Sequence, residues 1–298
     1  MTEQPLPAIA APNTTDRRHW PLPRANQEPA EPVFRGLARV VHALLGALVT
    51  RRWYGSDVLA DSVRGDDPAT PQGIIVVSNH MSYFDALALG EYMIWSGRWP
   101  RFLGKAELWK VPVVGWLARS CGQIPVYRKS TKASEALAAA QAALEQGQAV
   151  TIFPEGTETS DPLLWPMSAH TGAARLALQG GWPVIVVAQW GAQEVMPGRR
   201  PTYPRFWPRK TITLVADGPL DVSDLQPLMG TDQETAAVRA ATDRIMDRLT
   251  ELVAAIRGEH PPTEGRWQHK LGTRAPSRPH LDANERNNKV DDNRVDDN

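Results

Sequence analysis

The chain has 298 residues, 42% apolar and 22% charged, and its 33 basic residues balance its 33 acidic ones. That composition supports a sizeable core, while zero net charge removes any global pull toward nucleic acid and leaves attraction to phosphate to local clusters. One cysteine, Cys121, excludes an internal disulfide framework, suits a reducing compartment, and beside Trp116 and Leu117 reads as a small buried apolar residue rather than a nucleophile.

Residues 1–32 are rich in proline and polar groups, lack the basic-then-apolar order of a secretory leader, and are expected to be disordered. Residues 33–56 read as an amphipathic helix. Arg35, Arg39, His42 and Gly46 share one stripe, opposite Leu37, Val40, Val41, Leu44, Leu45 and Leu48. Its apolar part is too short to span a bilayer, so it either lies among lipid headgroups or packs on the core of the domain. A domain over residues 57–257 follows. Its elements read as a possible first strand within Asp57–Ile74, a strand at Ile74–Val77, a helix from Ser82 to Trp95, and a basic and aromatic stretch from Arg98 to Trp116. The tryptophans of that stretch suit an interfacial surface, an acyl groove or a plain aromatic core. A short strand from Gly122 ends on Arg128, with Lys129 and Lys132 close behind. Then come an Ala-rich helix from Ala133 to Gln146, strand Ala149–Phe153, a loop from Glu158 to Ser168, helix Thr171–Gln179, strand Val184–Ala188 and strand Thr211–Val215. A helix from Thr231 to Arg257, opened by the capping pattern Thr231-Asp232-Gln233-Glu234, closes the domain. The strand-helix-strand rhythm implies an α/β fold whose largely parallel sheet is covered by helices on both faces. Residues 258–298 read as a polar, disordered tail.

Chemistry concentrates in Ser78-Asn79-His80-Met81-Ser82-Tyr83-Phe84-Asp85. An apolar strand that ends in a histidine and turns into a helix delivers the imidazole to the carboxyl edge of a sheet, where ligands of open α/β folds collect. Asp85, one turn on, can hold one ring nitrogen as the donor and leave the other to take a proton from a substrate hydroxyl. The same Ser82-to-Asp85 spacing is a capping box, and the two roles can coexist. Asn79 is read as fixing the turn.

A second strand closes on Phe153-Pro154-Glu155-Gly156-Thr157. With N-H-x-x-x-x-D this resembles the PlsC-like glycerolipid acyltransferases, the lysophosphatidic acid acyltransferase family. Gly122-Gln123-Ile124-Pro125-Val126-Tyr127-Arg128 resembles that family's second motif, and Gly172 to Leu178 with Pro183 to Ala188 resembles its fourth, so the likeness covers about residues 70 to 220. It implies an enzyme that moves a fatty acyl group from acyl-CoA or acyl carrier protein to the hydroxyl of a lysophospholipid, foremost 1-acyl-glycerol-3-phosphate. Glycerol-3-phosphate, another lysophospholipid and a glycolipid are alternative acceptors. His80 is then the base and Asp85 its orienting partner. Glu155 positions the acceptor, Lys105 and Arg128 bind its phosphate, and Gly156 and Thr157 shape the turn whose amides face the developing oxyanion. No metal and no cofactor beyond the acyl thioester are implied. The partners are membrane lipid and acyl thioester rather than nucleic acid, and the place is the cytoplasmic face of the membrane, with the N-terminal helix as the membrane-associating element. Two positions depart from the family pattern: Glu158 stands where an arginine is usual, and His170 where a lysine often is. A lipid hydrolase is disfavoured because no G-x-S-x-G elbow occurs in the chain.

Overall fold

Ile74, Ile75, Val76 and Val77 are β-branched and wholly buried, as a strand covered on both faces requires, and with Ser78 they form β2, Ile74–Ser78, at the centre of the molecule. The structure, a computed structural model, describes residues 17–62, 71–127, 133–198 and 203–275. Among these, β1 (Val49–Tyr54), β2, β3 (Pro100–Lys105), β4 (Ile124–Val126), β5 (Ala149–Ile152), β6 (Val184–Trp190) and β7 (Lys210–Leu220) make one sheet in the order β1-β7-β6-β2-β5-β3-β4. Neighbours pair in parallel throughout, with Val77 beside Ile152 on one side and Val186 on the other, except that β7 runs antiparallel to β6. The carboxyl ends of β6, β2, β5, β3 and β4 therefore share one edge, and the segments that carry the motifs leave from it.

Alternation of side chains across β2 sends Ile75 and Val77 into one core and Ile74 and Val76 into the other. The first core is closed by α6 (Ala133–Glu145), α7 (Gly172–Gly180) and α9 (Glu234–Arg257), through residues such as Leu144, Leu176, Ile245 and Leu249. The second is closed by α1 (Leu22–Ala25), α2 (Pro32–Leu48), α3 (Ser56–Asp61), α4 (Asp85–Trp95) and α8 (Ala192–Val195), with Leu89, Tyr92 and Met93 of α4 at its centre. Each large aliphatic or aromatic side chain so buried contributes ~1.5–3 kcal/mol. The α/β architecture with helices on both faces is thus the one the rhythm of the chain implied.

Several local expectations give way. The strand sought within Asp57–Ile74 is absent from the described residues there; Ser56–Asp61 is α3, and the extra strand is β1, inside the segment read as helix. Valine, threonine, tryptophan and tyrosine favour the extended form, and β7 offers β1 a parallel partner. Residues 17–32 are ordered rather than loose. Glu28 pairs with the buried Arg98 at 2.7 Å and accepts the Trp99 amide, while the Trp95 indole donates to Trp20. Residues 258–275 carry a hairpin of β8 (Arg266–Gln268) and β9 (Thr273–Ala275) in place of a featureless tail. The apolar side of α2 faces protein: Phe34, Ala38 and Leu45 are buried and Leu37, Val41 and Leu48 pack on the same core, which leaves Val40 and Leu44 exposed. Beside α2 lies α5 (Pro112–Ser120), whose Val113, Val114 and Trp116 point outward, Val113 at 68% and Trp116 at 53% exposure. No helix among the described residues is long and apolar enough to cross a membrane.

Candidate active site

Because β2 sits mid-sheet and its last residue is buried, the chain must leave the carboxyl edge through a tight turn, and residues 79–84 form it. Asn79 extends the ladder with its side chain: Nδ2 donates to the Gln189 carbonyl at 3.0 Å, and Oδ1 accepts the Gln189 amide at 2.9 Å. The turn-fixing role read for Asn79 has this physical form. His80 follows, its ring stacked on Phe153 at 4.3 Å between centroids.

Asp85 begins α4 with no exposed surface. Its Oδ2 accepts His80 Nδ1–H at 2.8 Å, the Met81 amide at 2.6 Å and the Ser82 amide at 2.8 Å. One oxygen therefore organises the turn and fixes the ring tautomer, so capping and orientation are a single arrangement. Asp85 Oδ1 is buried with no hydrogen-bond partner. Since Nδ1 carries the proton, Nε2 presents its lone pair away from Asp85.

Glu158 lies on that other side, buried, with Oε1 3.6 Å from His80 Nε2. The separation is long for a hydrogen bond but short enough for a strong charge interaction with the imidazolium. Burial of the ring opposes its protonation, yet the hydrogen bond and charge of Asp85, then the charges of Glu158 and Glu155, outweigh it and hold His80 above its ordinary range.

Glu155 lies in the turn after β5. It is buried, its Oε1 accepts the His80 amide and its Oε2 the Met167 amide, both at 2.9 Å, so it ties the end of β2 to the loop after β5. Burial pushes its carboxyl up to about 7, against the two backbone hydrogen bonds. Both oxygens thus meet backbone amides, one of them that of His80 itself. Gly156 adopts φ of 72°, and a Cβ there would meet His170 Cδ2 at 2.7 Å, so only glycine fits. Its amide donates to the Phe153 carbonyl at 3.0 Å, closing the turn. Thr157 Oγ1 donates to Glu158 Oε2 at 3.0 Å. Lys105 ends β3 on the same sheet edge, partly exposed. Arg128 lies outside the described residues. Cys121 is buried, and that burial pushes its thiol up to about 11, far from a reactive thiolate.

The segments around residues 78–85 and 153–158, separated in sequence, thus converge on one imidazole with an orienting carboxylate on Nδ1 and Glu158 near Nε2. A family model described as Acyltransferase matches residues 62–190. The chain is 29% identical over 131 residues to the 1-acyl-sn-glycerol-3-phosphate acyltransferase BAT2, chloroplastic, of Brassica napus, covering 44% of this chain and 36% of that protein. It is 31% identical over 123 residues to the 1-acyl-sn-glycerol-3-phosphate acyltransferase of Neisseria gonorrhoeae, covering 41% and 45%. It is 32% identical over 142 residues to the lyso-ornithine lipid O-acyltransferase of Pseudomonas aeruginosa, covering 47% and 52%. The chain spans about a third to a half of the length of these relatives. The match to the Acyltransferase model spans residues 62–190, and the His80–Asp85 pair lies within that span.

Proposed function

We propose that the protein is an O-acyltransferase that moves a fatty acyl group from acyl-CoA or acyl carrier protein to the free hydroxyl of a lysophospholipid, foremost 1-acyl-glycerol-3-phosphate, giving phosphatidic acid. The observation that carries this reading is His80 held by Asp85 through Nδ1 at the carboxyl edge of a parallel sheet. Neutral Nε2 removes the acceptor's hydroxyl proton as the oxygen attacks the thioester carbonyl. The tetrahedral oxyanion then collapses, the carbon–sulfur bond breaks, and the departing thiolate takes the proton back from the imidazolium. The chemistry needs no cofactor besides the thioester. Lys105, and by resemblance Arg128, are the cations offered to an acceptor phosphate.

Glu158 favours a second acceptor. A buried carboxylate beside the base repels a phosphate and attracts an amine. A relative 32% identical is named a lyso-ornithine lipid O-acyltransferase, and ornithine's side chain ends in an amine. The proposed lipid substrate also requires contact with a bilayer, at the cytoplasmic face of the membrane. The exposed Val113, Val114 and Trp116 of α5, beside Val40 and Leu44 of α2, are the apolar surface offered to it, in place of the α2 face now packed on the core. Mass spectrometry of products from a panel of lysolipids and both donor types tests the reading. Phosphatidic acid from 1-acyl-glycerol-3-phosphate supports the first acceptor, and preference for the amine-bearing lysolipid supports the second. Thioester hydrolysis indifferent to every lysolipid contradicts both.

A further inference from the structure

The hairpin after α9 lies beyond the residues that match the family model, yet it reaches the loop that carries Glu158. Asp161, buried in that loop, accepts the Leu163 and Trp165 amides and pairs through both oxygens with Arg274 of β9, at 2.6 Å for Oδ2. The Trp267 carbonyl of β8 takes the Ser168 amide at 2.9 Å, and His269 meets Ser160 across the same gap. Arg266 fixes the hairpin's other side to Asp243 and Asp247 of α9. Arg257, at the end of α9, donates to the Leu163 carbonyl at 2.8 Å, its guanidinium over Trp165 at 4.1 Å and Trp190 at 4.4 Å.

From this clasp a short path leads to the imidazole. The Asp161 amide donates to Thr159 Oγ1, the Thr159 hydroxyl to the Trp165 carbonyl, and the Thr159 amide to the His80 carbonyl at 2.6 Å, with Glu158 as the residue just before. We propose that Arg274 is a positioning residue: through Asp161 it locks the 158–168 loop to the hairpin, which Arg266 ties to α9, and so holds Glu158 against Nε2 of His80 and the loop against the catalytic turn. The inference rests on His80 being the base. It adds that the C-terminal hairpin is part of the active-site scaffold rather than an appendage.

The test follows the ring of His80 directly, by NMR titration of the full-length chain carrying ring-labelled histidine, with His80→Ala to assign the signal. The charged groups facing the ring are Asp85 from α4 and Glu155 and Glu158 from the turn after β5. Glu158→Gln removes one of the two charges from that turn, so His80 should titrate lower by on the order of one pH unit. Arg274→Ala should reproduce at least half of that shift, and Arg274→Ala combined with Glu158→Gln should add nothing to Glu158→Gln alone. Should Arg274→Ala fail to fold because Asp161 is left charged, Asp161→Asn with Arg274→Ala removes the stranded charge, and the same shift is expected. A folded variant in which His80 titrates as in the parent overturns the proposal, whatever its melting temperature. The titration is read without turnover, so absence of acyl transfer in the parent chain would refute the proposed reaction and leave this result to stand or fall alone.

Discussion

Asp85→Asn separates the orienting role of Asp85 from its charge. In the parent chain, Oδ2 takes three N–H donors and Oδ1 takes none. Asparagine can place its carbonyl oxygen where Oδ2 was and keep all three hydrogen bonds, which preserves the Nδ1–H tautomer. Its amide nitrogen then occupies the place of Oδ1, a buried site without a partner, at a cost of ~1–3 kcal/mol in stability. What disappears is the negative charge that stabilises the imidazolium as the proton arrives. A charge-assisted hydrogen bond exceeds a neutral one by about 1 kcal/mol, and a full Coulomb interaction near 4 Å at an effective dielectric of 20 is about 4 kcal/mol, which bound the lost stabilisation. The expected fall in kcat is therefore between about 5-fold and 1,000-fold, smaller than removal of the ring at the upper end of its range. The direction with pH is also fixed. Asp85 raises the titration of His80, so its neutralisation lowers that titration and moves the acid limb of kcat/KM to lower pH. Steady-state kinetics across pH, with circular dichroism to confirm folding, reads both quantities. Unchanged kcat, or an acid limb displaced upward, would refute the reasoning.

Glu158→Gln should lower KM for 1-acyl-glycerol-3-phosphate by about tenfold, since a buried like charge near the phosphate is removed, without improving use of an amine-bearing lysolipid; an increased KM for the phosphate acceptor would oppose this. Val113→Glu with Trp116→Glu should reduce sedimentation with anionic liposomes while leaving the fold intact, because both side chains are exposed and have no core contact to lose; unchanged sedimentation removes α5 as the docking surface. Folding stability should decline as pH rises from about 4.5 to about 7, because buried Glu155 keeps its proton over an interval in which the unfolded chain has released it. His80, also raised, has the same sign, its contribution complete below the unfolded value and lost as pH passes through the folded one. Chemical denaturation at several pH values should show Glu155→Gln flattening this decline by at most ~3 kcal/mol, and a parent stability that rises over the interval contradicts the assignment.

The sheet was legible because its central strands are uninterrupted β-branched runs, and the dyad because His80 and Asp85 stand within one turn of a strand end. Local spacing carried that much. What spacing could not carry is long-range partnership. Nothing in the spacing around Glu155 shows that its oxygens meet two backbone amides, one of them His80's own, at the end of another strand. Glu158 is visible only as an unusual residue, and nothing in its neighbours announces that it faces Nε2. The apolar stripe of α2 is compatible with lipid and with protein alike, and burial of Phe34, Ala38 and Leu45 decides for protein. The hairpin of β8 and β9 has too few apolar residues to mark itself. It is held by Arg266, Arg274 and the Trp267 carbonyl, contacts between residues far apart in the chain. Asp161 preceding Pro162 suggests a turn, and its buried pairing with Arg274 could not have been inferred from composition.

The proposed reaction stands on His80 as the base for transfer to a lysolipid hydroxyl. It is tested most directly by comparing the parent chain with His80→Ala for acceptor-dependent CoA release, with the acylated lipid identified by mass spectrometry. A lysolipid-dependent product is expected from the parent, with a loss of about 100-fold to 10,000-fold in a folded His80→Ala chain that still binds the lysolipid. Product formation by His80→Ala at a rate near the parent's would contradict it.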